Sequence, residues 1–240
     1  MPTVILLQHA ACEPPGMIED ALAAKGLSLH RVLAENGDPV PQKIGGAAGL
    51  VVLGGSMGVR DYEQYPFLRE EGRLIMQAVA QNVPVLGVCL GAQLVASVLG
   101  AAVGRNTQPE IGWHPVRLTA EGARDPLWDG VSQTWTGFHW HGDCFETPPG
   151  AVSLASSALT HCQAFRYGSA VYGFQFHLEV TEVMIRDWAV EFAGELVREG
   201  LPAASLLAGI SEHLPPMQAI VQEVFGRWAA LVTELGAGSK

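Results

Sequence analysis

In the first hundred residues, short apolar runs alternate with longer segments in which apolar positions recur at helical spacing. Turn residues separate these segments, beginning with a Pro-Pro-Gly turn after the first apolar run. The predicted elements are a strand at residues 3–8, a helix at 17–25, a strand at 49–53, a helix at 66–81, a strand at 83–88 and a helix at 90–99. Continuous apolar strands are typical of a parallel sheet that helices cover on both faces.

The second half of the chain has a different texture, with shorter strand-like runs between turns. The predicted strands are residues 116–118, 134–140, 152–155, 162–167 and 171–176. Two helices follow, one over residues 181–199 with Thr181 as its N-cap, and one over residues 217–235 after a break at Pro215-Pro216. We therefore expect an α/β fold with a doubly wound, mostly parallel sheet flanked by helices, additional antiparallel strands and C-terminal helices.

Length and charge restrict the class of protein. A chain of 240 residues fits one domain, and we expect residues 1–199 to form its core and residues 200–240 a C-terminal helical extension. The net charge of −10 and the scattered Lys and Arg disfavour nucleic acid as a partner. No apolar run approaches the roughly 20 residues that span a bilayer, and the N-terminal segment lacks a basic leader, so we expect a cytoplasmic protein with no membrane partner.

The sharpest local signal is the G-x-C-x-G pattern of residues 87–91, where an apolar strand meets an Ala- and Leu-rich helix. It resembles a nucleophile elbow, a strained turn in which a Cβ on either glycine would collide with a neighbouring strand or helix. The start of the helix favours a thiolate at Cys89, and the Leu90 amide can face an oxyanion. The alternative is that Cys89 is a small buried hydrophobic residue.

A glycine-rich loop, residues 54–58, follows the strand at residues 49–53 at the same edge of the predicted sheet. Its amides are candidates for the second half of an oxyanion hole, although a plain turn is the alternative. A dinucleotide or phosphate loop is disfavoured because neither G-x-G-x-x-G nor G-x-x-x-x-G-K-[ST] is present.

A thiol nucleophile requires a general base, and imidazole is suited to that role. Of the eight histidines, His177 has the best context because it ends an apolar strand and Glu179 follows two positions later, on the same side of an extended chain. The carboxylate would orient the ring towards Cys89. Taken alone, an H-x-E pattern is more typical of exposed polar residues.

Five motifs occur in the order found in class I glutamine amidotransferases, and through them residues 3 to about 199 resemble that family: GGSMG, GVCLGAQ, EIGWHPV, FHWHGD and YGFQFHLE. The chain looks most similar to the free-standing branch that resembles the glutaminase domain of GMP synthetase, which includes γ-glutamyl peptide hydrolases. The resemblance implies a flavodoxin-like fold, and it makes residues 1–199 a catalytic core.

Carried over residue by residue, the resemblance implies a catalytic site built on one cysteine. Cys89 would be the nucleophile, His177 the base and Glu179 the orienting acid. The oxyanion hole would consist of the Gly55 and Leu90 amides. Glutamine would be bound by Gly54, Gln93, His141 and Asp143, with Asp143 as the partner of its α-ammonium group. Ser56 and Leu178 depart from the family pattern, in which Pro is usual at both positions.

The histidines and their neighbours in residues 139–144 also allow a second interpretation, a metal site. His139, His141, Asp143 and Cys144 are an alternative set of metal ligands, since an alternating strand places the first three on one face. We expect no metal and no cofactor, and we expect His9, His114, His161 and His213 to be polar residues with no role in chemistry.

Three functions compete at this point. The first is hydrolysis of the glutamine side-chain amide through a γ-glutamyl thioester, with the ammonia passed to a separate synthetase subunit, because this sequence contains no P-loop. The second is a stand-alone hydrolase of γ-glutamyl peptides or conjugates. The third is a non-enzymatic redox sensor or binding subunit that uses Cys89. A small γ-glutamyl compound is the expected substrate of the first two.

Overall fold

The structure, a computed structural model, describes residues 1–237, in which nine strands form one sheet in the order β2-β1-β3-β4-β9-β8-β7-β5-β6. The strands are β1 (Thr3–Gln8), β2 (Ser28–Leu33), β3 (Gly49–Val52), β4 (Val85–Val88), β5 (Val103–Leu118), β6 (Thr134–Phe145), β7 (Ala151–Ser156), β8 (Ala164–Tyr167) and β9 (Val171–Phe174). The helices of four residues or more are α1 (Met17–Ala24), α2 (Phe67–Ala80), α3 (Leu90–Val98), α4 (Glu182–Glu191), α5 (Ala193–Arg198), α6 (Ala203–Ala208) and α7 (Ile210–Ala237).

The sheet has a parallel half and an antiparallel half. Strands β2, β1, β3, β4 and β9 pair in parallel, whereas β8, β7, β5 and β6 continue the sheet through antiparallel pairs. Helical crossovers join the parallel strands, as parallel pairing requires. The expected α/β architecture with added antiparallel strands is therefore confirmed.

Helices cover both faces of the parallel half. Alternate residues of each strand point to opposite faces, so each strand contributes side chains to the clusters under both helix layers. On β1, Val4 and Leu6 belong to one apolar cluster, while Ile5 and Leu7 belong to the other. The first cluster includes buried residues of α1, α4 and α7, and the second includes those of α2 and α3. This arrangement explains why the inner parallel strands β1, β3, β4 and β9 are mostly apolar, whereas the edge strand β2 is not.

Helix α7 corrects one prediction, since it runs through Pro215 and Pro216 without the expected break. Both prolines are exposed, so the carbonyl groups that they leave unbonded can be hydrated by water. Packing holds the segment helical because Ile210, Leu214 and Met217 are buried at helical spacing. Among the described residues, no helix has an apolar stretch long enough to cross a membrane.

Several strand and helix predictions were incomplete. Strand β2 was missed, because it is an edge strand with exposed His30 and Arg31 and only one buried residue. Strand β5 is much longer than residues 116–118, since a register shift between Arg105 and Glu110 obscures its pattern. The single helix predicted at residues 181–199 is divided into α4 and α5.

Candidate active site

Cys89 lies in a strained turn between β4 and α3. Its backbone has φ 50° and ψ −110°, a conformation that L-residues rarely adopt. A Cβ on Gly87 would lie 2.7 Å from the Ala92 nitrogen, and one on Gly91 would lie 2.0 Å from the Val52 oxygen. Both glycines are therefore required for the turn, as the sequence pattern predicted.

The predicted base and acid meet each other and approach the thiol. His177 Nδ1 lies 2.6 Å from Glu179 Oε1, and both side chains are buried. The Cys89 sulfur lies close enough to the imidazole to interact with it electrostatically. Leu178, which stands between His177 and Glu179 where Pro is usual in the family that the sequence resembles, is fully buried. Its side chain therefore holds the residues from His177 to Glu179 in place by packing.

Electrostatics favour the charged form of the base. Burial lowers the pKa of His177, but the Glu179 carboxylate and the Cys89 sulfur raise it by more, so the pKa lies well above its ordinary value. Trp188 packs at 81° against the ring with centroids 4.8 Å apart, which restricts rotation of the imidazole. The arrangement is suited to a thiolate paired with an imidazolium.

The glycine loop after β3 lies against the nucleophile. A Cβ on Gly54 would be 3.6 Å from the Cys89 Cβ, and one on Gly55 would be 2.9 Å from the Leu90 Cδ2. As the first residue of α3, Leu90 has an amide N–H that no helix carbonyl accepts. The Gly54-Gly55 backbone therefore passes beside Cys89 and the Leu90 side chain.

A buried ion pair, which the sequence did not reveal, holds this loop. His9 Nδ1 lies 2.7 Å from the Gly54 oxygen, and His9 Nε2 lies 2.9 Å from Glu71 Oε2. Burial lowers the pKa of His9, but the charge of Glu71 and the hydrogen bonds to Glu71 and Gly54 together raise it by more, so the net shift is upward. An imidazolium donates through both nitrogens at once, to the Gly54 carbonyl and to the Glu71 carboxylate. His9 is thus a satisfied polar residue, as expected, with a partner 62 positions away.

Glu13 is a second carboxylate at the centre of the site, and the sequence analysis did not identify it. A Cβ added to Gly54 would lie 2.4 Å from Glu13 Oε2 and 3.2 Å from His177 Cε1. The carboxylate and the imidazole therefore both lie next to Gly54. Burial raises the pKa of Glu13 more than the nearby His177 and His9 lower it. The sequence feature that could have identified Glu13 is its position after the end of β1, at the same edge of the sheet as Cys89.

A cavity of about 590 Å³ opens beside Cys89 and His177. Gln93, His141 and Asp143 line it, together with Trp140 and with residues of α5. Gln93 Nε2 donates to the Asp143 carbonyl at 3.3 Å, and Asp143 Oδ1 lies 3.4 Å from Arg105 Nη1. The sheet thus brings three of the four residues expected to bind glutamine to one cavity wall, while Gly54 lies behind it as the acceptor of the His9 bond.

Metal ligation was considered for residues 139–144, and the structure changes the set of candidates. Among the described residues, the group that brings at least three ligand atoms together consists of Glu110, His139 and His141, all buried. Asp143 and Cys144 are not part of it, and Asp143 instead lies 3.4 Å from Arg105 Nη1. The alternative interpretation as metal ligands therefore keeps only His139 and His141 of its four residues, and it gains Glu110.

Comparison with known proteins gives consistent results. A family profile described as "Glutamine amidotransferase class-I" matches residues 16–184. The glutamine amidotransferase-like protein YfeJ of Salmonella typhimurium is 40% identical over 158 residues, or 65% of each chain. One subunit of the glutamine-hydrolyzing GMP synthase of Saccharolobus solfataricus is 42% identical over 101 residues, 41% of this chain and 52% of that subunit.

A solved structure extends the likeness to nearly the whole chain. The crystal structure of a glutamine amidotransferase from Thermotoga maritima superposes with a TM-score of 0.86 at 30% identity, covering 95% of this chain and 98% of that chain. By contrast, the aligned regions span only about half to two thirds of the length of the two curated relatives.

Proposed function

Because this chain belongs to the class I glutamine amidotransferase family, we propose that it hydrolyses the side-chain amide of glutamine through a γ-glutamyl thioester on Cys89. One observation carries the proposal: the Cys89 thiol, the His177 imidazole and the Glu179 carboxylate converge at a strained turn. The single-domain organisation, with a catalytic core of residues 1–199, and the cytoplasmic location are part of the same proposal.

In the first half of the reaction the Cys89 thiolate attacks the amide carbon, and the carbonyl oxygen becomes an oxyanion that the Gly55 and Leu90 amides stabilise. The His177 imidazolium then gives its proton to the departing nitrogen. The C–N bond breaks, ammonia leaves, and the γ-glutamyl group remains on the sulfur.

In the second half, neutral His177 removes a proton from water, which attacks the thioester carbon. The C–S bond breaks and glutamate leaves. Glu179 keeps the ring in the tautomer that presents Nε2 to the sulfur. The sum is glutamine plus water giving glutamate plus ammonia.

Ammonia from this site would serve a separate synthetase subunit. The relative that is named as one subunit of a glutamine-hydrolyzing GMP synthase supports this part of the proposal.

A stand-alone hydrolase of larger γ-glutamyl compounds is the second candidate. The cavity favours it, since the lining continues from Cys89 to Glu195 and Arg198 on α5, beyond the residues proposed to hold glutamine. A leaving group larger than ammonia would occupy that part of the cavity.

One experiment tests the chemistry and the choice of substrate. Ammonia or amine release is measured with glutamine, glutathione and other γ-glutamyl dipeptides, with no partner protein added. Labelling by a glutamine-derived electrophile is followed by mass spectrometry. We expect modification of Cys89, protection by excess glutamine, and loss of turnover in Cys89→Ala but not in the control Cys162→Ala.

Turnover of dipeptides without turnover of glutamine would favour the second candidate. Reversible oxidation of Cys89 without hydrolysis of any γ-glutamyl compound would contradict both and would favour a redox sensor.

A further inference from the structure

Two neighbouring strands bring three buried side chains together beside the cavity. Glu110 on β5 pairs directly with His141 on β6, and His139 stands two positions along β6, on the same face. One ligand atom from each of the three lies within 4.8 Å of the other two. The proposed hydrolysis uses His141 only as part of the cavity wall, and it uses neither His139 nor Glu110.

Two of these side chains have polar atoms with no hydrogen-bond partner among the described residues. The atoms are His139 Nε2 and His141 Nε2, and both are buried. Buried polar atoms are normally paired, so each unpaired atom requires an explanation. For His141 a site for an ion is one such explanation, because its Nε2 lies 3.5 Å from the Glu110 carboxylate, and an imidazole nitrogen that faces a buried carboxylate is a ready metal ligand. His139 reaches the same cluster through Nδ1, which lies 3.5 Å from Gln163 Nε2.

The tautomer of His141 can be read from its contacts. Its Nδ1 lies 3.0 Å from the Asp143 carbonyl, which only accepts, so Nδ1 carries the proton and Nε2 has a free lone pair. That lone pair faces Glu110 Oε2 at 3.5 Å. Two acceptors that face each other in a buried place repel unless a cation lies between them.

The surroundings resemble the outer shell of a metal site. Glu110 Oε2 accepts hydrogen bonds from Thr160 Oγ1 at 2.6 Å and from Gln163 Nε2 at 2.8 Å. Neutral imidazoles and a carboxylate fixed by hydrogen bonds are the form in which these groups bind metal.

We propose that Glu110, His139 and His141 form a binding site for a zinc ion. Two imidazole nitrogens and one carboxylate oxygen suit a borderline divalent ion such as Zn²⁺, and three protein ligands leave a fourth position open. The 3.5 Å between His141 Nε2 and Glu110 Oε2 is close to the separation of about 3.4 Å between two ligands on one tetrahedral zinc. A zinc ion at this site would link β5 and β6 beside the substrate cavity.

The test uses the Cys89→Ala variant of the whole chain, because a thiolate beside His177 binds zinc by itself. Zinc content is measured by elemental mass spectrometry and affinity by titration calorimetry, and Co²⁺ absorption reports the ligand type. We expect one ion per chain and a tetrahedral Co²⁺ spectrum without sulfur-to-metal bands.

Variants in the same background locate the site. Glu110→Gln preserves the shape of the side chain and should abolish stoichiometric binding, as should His139→Gln. Thr160→Ala removes only an outer-shell bond and should weaken binding by about 10-fold to 100-fold. Cys144→Ser, a matched change on the same strand outside the cluster, should bind zinc normally.

Circular dichroism and thermal melting check that each variant is folded, and zinc should raise the melting temperature of Cys89→Ala but not of its Glu110→Gln derivative. No stoichiometric binding by Cys89→Ala, or undiminished binding by folded Glu110→Gln, would overturn the proposal. So would loss of binding in Cys144→Ser. Since these measurements need no hydrolysis, their outcome is independent of the proposed enzymatic function.

Discussion

In the parallel half of the sheet the site residues follow the ends of strands, whereas in the antiparallel half they stand within a strand. Cys89 follows β4, Gly54 follows β3 and His177 follows β9, so the residues proposed for the chemistry lie at the carboxyl ends of three neighbouring strands. His141 and Asp143 instead lie inside β6 and reach the cavity from its surface.

The two halves also hold their residues by different means. In the parallel half, backbone strain at Cys89 and close contacts at Gly91 fix the position of the reacting atoms. In the antiparallel half, side chains project from a regular ladder and form the wall of the cavity. Changes in the parallel half should therefore reduce the rate or the stability, and changes in the antiparallel half should mainly weaken substrate binding.

The largest expected effect is that of Glu179→Gln in the parallel half. An amide at this position can hold His177 in the wrong tautomer, so kcat for ammonia release should fall by about 10⁴-fold, as for the equivalent change in a serine triad. Steady-state kinetics with glutamine measures it, and KM should change little. A fall of less than 10-fold would show that the carboxylate does not orient the base.

The second-largest expected effect is on the free energy of unfolding, and it also concerns the parallel half. Glu71→Gln removes one partner of the buried pair with His9, which should lower the free energy of unfolding by about 3–5 kcal/mol. Urea denaturation measures the change. Glu70→Gln, the exposed neighbour on α2, is the matched control and should have little effect.

The pair of His9 and Glu71 also predicts how the stability of the protein changes with pH. The folded-state pKa of His9 is raised above 6.5, so the stability from protonated His9 is complete below that value and is lost as pH rises through the folded pKa. The cost of Glu71→Gln should therefore be larger at pH 6 than at pH 9. Unfolding curves of both proteins across this range test it, and a cost that grows with pH would contradict the assignment.

The smallest effect belongs to the antiparallel half. Asp143→Asn removes the charge proposed to meet the α-ammonium group, and a charged hydrogen bond of this kind contributes about 1.5–3 kcal/mol. KM for glutamine should rise roughly 10-fold to 100-fold with kcat little changed. Glu146→Gln, an exposed change just beyond β6, should leave both constants unaltered. A large loss of kcat in Asp143→Asn would remove the distinction between the halves.

The parallel half was also the easier one to predict from sequence. Apart from the edge strand β2, its strands are mostly apolar runs, and the turn at Cys89 is encoded by glycines on either side of it. The contact of His177 with Glu179 follows from their spacing. Strand β5 was largely missed because its register shift and its prolines interrupt the alternation.

Other features depend on contacts that no local pattern encodes. His9 and Glu71 meet only because β1 and α2 pack together, and neither residue has a neighbour that suggests an ion pair. Glu110 joins His139 and His141 through strand register, which the sequence does not display. The helix through Pro215 is maintained by tertiary packing against the preference of the residue itself.

One backbone bond connects the two halves at the site itself. The His177 amide donates to the Phe138 oxygen at 2.8 Å, which forms an isolated bridge between β6 and the segment after β9. A protein that docked on β6 and shifted this strand would move the imidazole relative to the sulfur, and a misplacement of about 1 Å can cost on the order of 100-fold in rate. The position of β6 and the placement of the proposed base are therefore linked through this one bridge.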